Sequence, residues 1–174
     1  MNKIFFYFLL FLFTNCASQT QSLKNTSREH LQKIMNEEFS NRVNNKTLVY
    51  AVDDKWYLII DDKGSYYEEF YIKADGNKII KEKLDKINKP NSMLDNAFDL
   101  SNYKYDYIDF SSDGYKDYKL AQGNKTYFCV IDKEKYHGEF NLSVIVDPIP
   151  IDKNLNKYLM TKLFKEISNN KATH

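Results

Sequence analysis

The chain begins with an unbroken apolar run, and the rest of it alternates between strand-like and helix-like spacing of hydrophobic residues. The run covers residues 4–13 and follows a single lysine, Lys3. A membrane-spanning helix needs about 20 apolar residues, whereas the apolar core of a signal peptide has about 7–15. A ten-residue run behind one positive charge therefore predicts a cleavable export signal over residues 1–15.

Between residues 47 and 72, short runs rich in Val, Ile, Tyr and Trp alternate with turn-forming residues. The runs are residues 47–52, 55–60 and 65–72. Asp53-Asp54 separates the first two, and a second turn with Gly64 separates the next two. β-Branched and aromatic runs joined by turns that contain Asp and Gly are typical of antiparallel hairpins. The pattern predicts a three-stranded antiparallel meander.

Helical spacing of apolar residues flanks this region on both sides. Leu31 and Ile34 lie on one face of a helix predicted over about residues 27–42. Near the other end, Asp152 is a natural helix cap, and apolar residues repeat at helical spacing from about residue 153 to residue 168. The domain is therefore predicted to carry a helix at each end.

The remaining segments complete the predicted fold. Residues 79–87 fit either a helix or a fourth strand, residues 90–100 contain a short helix, Tyr103, Tyr105 and Tyr107 alternate as in a strand, and residues 126–131 and 139–146 form a hairpin. Strands enclosed between terminal helices are typical of the α+β class. We predict an α+β fold, with a mainly antiparallel sheet on which an N-terminal helix and a C-terminal amphipathic helix pack.

The charge balance narrows the choice of partners. The chain has 25 basic and 24 acidic side chains, and removal of residues 1–15 with Lys3 leaves 24 of each. A protein that binds nucleic acid or anionic lipid through its overall field carries a positive excess. The balance therefore predicts no nucleic-acid partner and no basic field toward anionic lipid.

The residues after the apolar run resemble the lipobox of a bacterial lipoprotein. Phe13-Thr14-Asn15-Cys16 ends in the cysteine that lipoproteins modify, with Phe13 in place of the usual Leu and Asn15 in place of the usual small residue. The resemblance covers the first sixteen residues. It implies a diacylglycerol thioether on Cys16, cleavage after Asn15 and a membrane as partner. Ordinary cleavage nearby, which would release a soluble protein, is the alternative.

Cleavage at that position divides the chain into three parts. Residues 1–15 are the signal peptide, residues 16–25 a lipidated polar tether, and residues 26–174 a single α+β domain. No acidic residue follows Cys16 before Glu29. From this we expect a lipoprotein of the outer membrane that faces the periplasm.

Catalytic motifs are weak in this sequence. Cys129 lies in the apolar run of residues 127–131, where a thiol is expected to be buried and inert. Closing the hairpin that follows places His137 opposite Val130, on the face away from Cys129. The adjacent acids Glu68-Glu69 point to opposite faces of a strand. No catalytic residue is predicted, and a small envelope hydrolase is the alternative class of function.

One segment matches the first half of a calcium-binding loop. Oxygen-bearing side chains at Asp109, Ser111 and Asp113 are followed by a glycine and by Asp117, a spacing at which alternate side chains turn inward. The twelfth position is Leu120, where such loops carry a bidentate glutamate. Calcium is the only cofactor that the sequence suggests, and a solvated turn is the alternative interpretation.

Aromatic residues provide the main indication of a binding function. The chain without residues 1–15 has 13 tyrosines and one tryptophan. Adjacent aromatic residues in a strand point to opposite faces, so a sheet with one bare face would display some of them for protein or sugar contacts. Coverage of both faces by helices or loops is the alternative. We predict a non-catalytic module that binds an envelope protein or a glycan through Trp56, Tyr57, Tyr66, Tyr67, Tyr103, Tyr105 and Tyr107.

Overall fold

A computed structural model describes residues 26–40, 45–110, 122–144 and 149–171. The predicted signal peptide, the lipobox with Cys16 and the tether lie outside these residues. The elements are α1 (26–38), β1 (Thr47–Val52), β2 (Trp56–Asp62), β3 (Tyr66–Asp75), β4 (Lys78–Asn88), α2 (Ser92–Phe98), a 3₁₀ turn (Leu100–Asn102), β5 (Tyr107–Phe110), β6 (Gln122–Asp132), β7 (Lys135–Val144) and α3 (Lys153–Lys171).

The strands form one sheet of seven strands in the order β4-β3-β2-β1-β6-β7-β5. All pairs are antiparallel except the pair of β5 and β7, which is parallel. The predicted meander of β1, β2 and β3 is confirmed. The central strand β1 is buried along all six residues, as its nearly continuous apolar sequence requires. The predicted α+β fold with an antiparallel sheet and terminal helices is therefore confirmed.

Both faces of the sheet carry a hydrophobic core. On one face, here called the α1 face, Leu31 and Ile34 of α1 pack against residues such as Val49. On the other, the α3 face, α2 and α3 pack against residues such as Leu48 and Leu58. Successive residues of β1 alternate between the two cores because side chains of a strand alternate in direction. Aromatic residues of the strands such as Tyr50, Tyr57 and Phe128 are thus buried.

The segment that fitted either a helix or a strand forms β4, at one edge of the sheet. A bulge lies between the pairs Glu68–Lys86 and Phe70–Lys83, where two residues of β4 oppose the single residue Glu69 of β3. The extra residue allows Leu84 and Ile87, three positions apart, to approach the same core. That spacing of three is the feature that resembles a helix.

The strand predicted across three alternating tyrosines is wrong for its first part, since β5 begins only at Tyr107. The 3₁₀ turn precedes it, and the backbone N–H of Tyr103 donates to the carbonyl of Leu100 at 3.2 Å. The hydroxyl of Tyr103 also donates to the carbonyl of Ala97 at 2.7 Å. These hydrogen bonds hold the backbone at Tyr103 in a turn next to the end of α2. The alternating segment therefore does not form a strand at this point.

Candidate functional site

Two of the seven predicted binding residues are core residues. Tyr57 and Tyr67 are each only 1% exposed, and burial raises the pKa of both hydroxyls above the usual range. The Tyr57 hydroxyl donates to the carbonyl of Asp54 at 2.9 Å, and the Tyr67 hydroxyl donates to Asp95 at 2.5 Å. Because helices cover both faces of the sheet, these rings cannot contact a partner. The prediction that they are displayed is wrong.

Trp56 and Tyr66 are partly exposed, but they do not form one surface. Trp56 stacks on Tyr71 with ring centroids 6.2 Å apart, and two lysine ammonium groups lie within 5.4 Å of its ring. Trp56 is paired with Lys73 of β3, seven residues along that strand from Tyr66. At about 3.3 Å per residue, the two rings lie roughly 23 Å apart along the sheet. A single ligand of small size cannot bind both.

The last three predicted tyrosines lie in and around the segment that leads to β5. Their hydroxyls are engaged: that of Tyr105 donates to the carbonyl of Pro150 at 2.6 Å, and that of Tyr107 accepts from Asn141 at 3.4 Å. Burial raises the pKa of Tyr105 to about 12. Tyr103 is the member of the predicted set that lines the candidate cleft described next. Its ring therefore remains a candidate for ligand contact.

The candidate site is a cleft of about 740 Å³ between α2, the 3₁₀ turn and the beginning of α3. Its apolar wall consists of Met93, Ala97, Tyr103, Ile149, Ile151 and Leu155. Its polar rim carries the uncharged side chains of Ser92, Asn96, Asn102 and Asn154. Clefts with an apolar wall and a few polar groups are typical ligand sites.

The only charged residue among the described residues that line this cleft is Asp152, and its carboxylate is already used. One oxygen accepts hydrogen bonds from the backbone N–H groups of Asn154 at 2.9 Å and Leu155 at 3.0 Å. Asp152 thus caps α3, as the sequence predicted. The cleft therefore offers a ligand hydrogen bonds from amides and a single carboxylate, one oxygen of which is occupied by the cap of α3.

Gly138 in β7 determines how Tyr103 lines the cleft. Its φ is +57°, and a Cβ atom built on it would lie 2.1 Å from Cδ1 of the Tyr103 ring. A side chain at this position would displace the ring. The sequence analysis did not identify Gly138. The signal was a glycine inside a strand pattern, which often marks a close approach of another group.

The residues considered for catalysis lie apart, as predicted. Cys129 is fully buried, and burial raises the pKa of its thiol. Val130 is paired with His137, which confirms the predicted register. Glu68 and Glu69 have separate lysine partners, since Glu68 contacts Lys83 and Glu69 contacts a lysine of α3. None of these groups lines the cleft.

The calcium hypothesis concerns residues that the structure barely covers. Ser111, Asp113 and Asp117 lie outside the described residues, and only the backbone of Asp109, in β5, is described. Within the described ranges no group of three His, Cys, Asp or Glu side chains is placed to hold a metal ion. The calcium loop stays a prediction.

The burial of two glutamates, Glu139 and Glu69, was not predicted from the sequence. Glu139 of β7 is fully buried and forms a bidentate pair with Arg28 of α1, with Nε 2.7 Å from Oε1. The Tyr127 hydroxyl donates to the same carboxylate at 2.7 Å. Hydrogen bonding to Glu139 raises the pKa of Arg28. The group connects α1 to the sheet.

Glu69 of β3 has the corresponding role on the opposite face. It is fully buried, and both of its side-chain partners come from α3. The Tyr158 hydroxyl donates to one oxygen, and the Lys162 ammonium lies 3.0 Å from the other. Since these pairs connect a helix to the sheet, we interpret them as structural.

Comparison with known proteins does not add a function. No protein-family model, curated protein or solved structure matches the chain. Among the described residues, no helix is both long enough and apolar enough to cross a membrane. The function therefore has to be argued from the cleft and the surfaces of the domain.

Proposed function

We propose that the chain is a non-catalytic lipoprotein of the bacterial envelope, anchored through Cys16, whose domain binds an uncharged extended segment of a partner protein in the cleft between α2 and α3. The observation that carries the binding proposal is the low charge of the cleft. Charged residues make up 28% of the chain, yet of the twelve described residues that line the cleft only Asp152 is charged. The cores of protein interfaces show the same depletion of charge.

The chemistry of the rim fits a peptide backbone. The amide side chains of Asn96, Asn102 and Asn154 each carry a hydrogen-bond donor and an acceptor. An extended peptide presents N–H and C=O groups that need such partners when they leave water. The apolar wall, which includes Met93 and Leu155, suits the alternate side chains of the same segment.

A glycan fits the cleft less well. Aromatic rings give a sugar a flat apolar surface with a polar edge, and Tyr103 is the only aromatic residue in the described lining. One side of that ring contacts Gly138, and its hydroxyl is bonded to Ala97. The aliphatic wall matches protein side chains more closely. Glycan binding is therefore an outcome of the test and is not the favoured ligand.

A hydrolase is not favoured by this geometry. Hydrolysis needs a nucleophile or a general base that converges with other polar groups on one substrate. In the described lining of the cleft the only general base is Asp152, whose Oδ1 caps α3. The hydroxyl of Ser92 is a weak nucleophile by itself, and no histidine or lysine in that lining could activate it. The amide rim can orient a ligand but cannot exchange protons with it near neutral pH.

Site-specific photocrosslinking in the native envelope tests the proposal. A photoreactive amino acid at Asn96, on the rim, should give one discrete adduct with another protein, identified by mass spectrometry. The matched control is Asn77, an exposed asparagine in the turn between β3 and β4, which should give none. With the identified partner, Asn96→Lys should weaken binding and Asn77→Lys should not, because only the first puts a charge on the neutral rim.

The other outcomes are distinct. Binding of purified envelope glycan that is lost in Asn96→Lys would replace the protein segment as ligand. Failure to bind either kind of molecule at the rim would contradict the cleft proposal. The anchor is tested separately by metabolic labelling with a fatty-acid analogue, which should label the chain and should not label Cys16→Ser.

A further inference from the structure

The outer face of α3 carries the largest apolar groups that the described part of the surface exposes. Met160 is 39% exposed and Phe164 is 37% exposed. They lie four residues apart, so they are neighbours on the helix surface. The apolar residues that hold α3 to the sheet, such as Leu159 and Leu163, point the other way and are fully buried. Met160 and Phe164 therefore do not serve the core.

Lysines surround this apolar pair. Lys153 and Lys157 precede it on the same side of the helix, and Lys165 flanks it; all three are exposed. The only acidic residue of α3 is Glu166, which is half-buried. Lys162 is not part of this surface because its ammonium contacts Glu69 and Asp85. Among the side chains of α3 whose exposure is described, the exposed ones thus include three cations and no anion. Outside the helix, the exposed carboxylate of Asp85 in β4 interacts with Lys165.

Local helix stability does not account for these lysines. Lys153 is the first residue of α3, and Lys157 is one turn further on. The N-terminal end of a helix carries partial positive charge, so a cation there is unfavourable. Two like charges four residues apart also repel each other. The first turn itself has no acidic residue, and the carboxylate of the cap Asp152 offsets only part of this cost, beside Lys153.

The outer face of α1 has the opposite character. Its exposed charged residues are Glu29 and Glu37, whereas its lysine, Lys33, is half-buried and bonded to Asn77. α1 and α3 lie on opposite faces of the sheet. The exposed charges of the two helices therefore have opposite signs, although the total charge of the chain is nearly balanced.

We infer that the outer face of α3, with Met160 and Phe164 between lysines, lies on an anionic phospholipid surface. The inference rests on the proposed function, which brings the domain to a membrane through Cys16. A helix with lysines beside apolar side chains lies in the plane of such a surface, where the apolar groups enter the boundary of the acyl chains and the lysines meet the headgroups. The outer face of α1, with Glu29 and Glu37, then points away from the membrane.

The tether is long enough for this orientation. It follows Cys16 over residues 17–25, nine residues, and spans about 30 Å when extended. The helix, the sheet and the opposite helix form three layers of about 10 Å each. A chain that leaves α1 can therefore reach a membrane on the α3 side.

Vesicle flotation tests the inference without the lipid anchor. The protein is the mature chain of residues 16–174 carrying Cys16→Ser, and the vesicles contain either phosphatidylglycerol with phosphatidylethanolamine or phosphatidylcholine alone. We expect binding to the anionic vesicles only, weakened by salt. Replacing Lys153, Lys157 and Lys165 by Gln should reduce it on the order of 100-fold, at about fivefold for each lysine. The double variant Met160→Ser and Phe164→Ser should also reduce it.

The control changes the same number of exposed lysines elsewhere, at Lys78, Lys104 and Lys135, and should keep most of the binding. Equal binding to phosphatidylcholine, no binding to anionic vesicles, or an equal loss in the control would overturn the inference. A change of oligomeric state in the double variant without loss of vesicle binding would also overturn it, since a second copy would then cover this face. Cleft crosslinking at Asn96 and labelling of Cys16 do not depend on these lysines. A failure of the membrane inference can therefore be distinguished from a failure of the cleft proposal or of the lipid anchor.

Discussion

The two terminal helices are attached to opposite faces of one sheet by similar means, yet they present different surfaces to the outside. Each helix contributes a cation to a fully buried glutamate: Arg28 of α1 to Glu139, and Lys162 of α3 to Glu69. A tyrosine hydroxyl supports each carboxylate, from Tyr127 in the first case and from α3 itself in the second. The attachment is shared, so it does not explain why the outer faces differ.

The difference in the outer faces shows that a balanced total charge can conceal an asymmetric protein. The exposed charged residues of α1 are acidic, and those of α3 are basic and surround an apolar pair. Long-range fields depend on the total charge, whereas contact with a surface depends on the charges that face it. The expectation of no basic field toward anionic lipid holds for the chain as a whole and overlooks this local arrangement.

The largest expected effect is loss of the buried pair that holds α1. Arg28→Ala leaves Glu139 buried with only a hydroxyl partner, and we expect a loss of about 3–5 kcal/mol in the free energy of unfolding. Lys162→Ala should cost less, about 1–3 kcal/mol, since Lys162 makes one bond to Glu69 where Arg28 makes two bonds to Glu139. Urea unfolding measures both. Losses below 1 kcal/mol for both variants would show that the two carboxylates do not hold the helices.

The second effect concerns the wall of the cleft on the α3 face. Gly138→Ala combines left-handed backbone strain with a clash against Tyr103, and we expect a loss of about 2–4 kcal/mol. Gly76→Ala is the matched control, because Gly76 has a φ of +60° but no atom within 4 Å of the added Cβ. It should cost only the strain, about 1–2 kcal/mol. Equal losses for the two variants would mean that Gly138 does not position the ring.

A smaller effect of opposite sign is expected on the outer face of α3. Lys153→Glu removes a cation from the first turn and adds an anion that the helix dipole favours. We expect the unfolding free energy to rise by about 0.3–1 kcal/mol while binding to anionic vesicles falls. Thermal unfolding and flotation on the same sample check both. Lys165 lies near the other end of α3, so Lys165→Glu should lower vesicle binding without raising the free energy of unfolding. A rise of equal size in Lys165→Glu would argue against the dipole explanation.

The smallest effect on stability near neutral pH is expected for the enclosed tyrosines, because their ionisation changes the unfolding free energy only above pH 10. Burial raises the pKa of Tyr50 and Tyr71 to about 12, above the value of about 10 in an unfolded chain. Their contribution to stability is therefore complete below pH 10 and is lost as the pH rises through 12. Ultraviolet titration of phenolate should show fewer ionised tyrosines at pH 11 in the folded chain than in urea. Identical titration curves would contradict the enclosure of the rings by helices on both faces.

Local patterns predicted much of the fold. β1 runs over Thr47–Val52 as predicted, because an apolar run between turn residues has few other conformations to adopt. The pairing of Val130 with His137 was also predicted, since the turn determines the register of a short hairpin. β4 was ambiguous because its bulge, set by pairing with β3, changed the spacing of its apolar residues.

The candidate cleft could not be predicted in the same way. Met93, Tyr103 and Leu155 belong to three separate segments, and no motif connects them. The predicted tyrosine surface was inaccurate for a related reason. Alternation along a strand tells which rings share a face, but the cover of that face comes from helices distant in the sequence.

The hairpins, the terminal helices and the balance of charge could be predicted from the amino-acid sequence, because each depends on neighbouring residues or on simple counting. Three features follow from the packing of the domain: both faces of the sheet are covered, a cleft with little charge forms beside α3, and the two terminal helices expose charges of opposite sign. These features depend on which distant segments pack together. Packing depends on the burial of apolar area over the whole domain. The spacing of hydrophobic residues along the chain does not reveal which distant segments pack together.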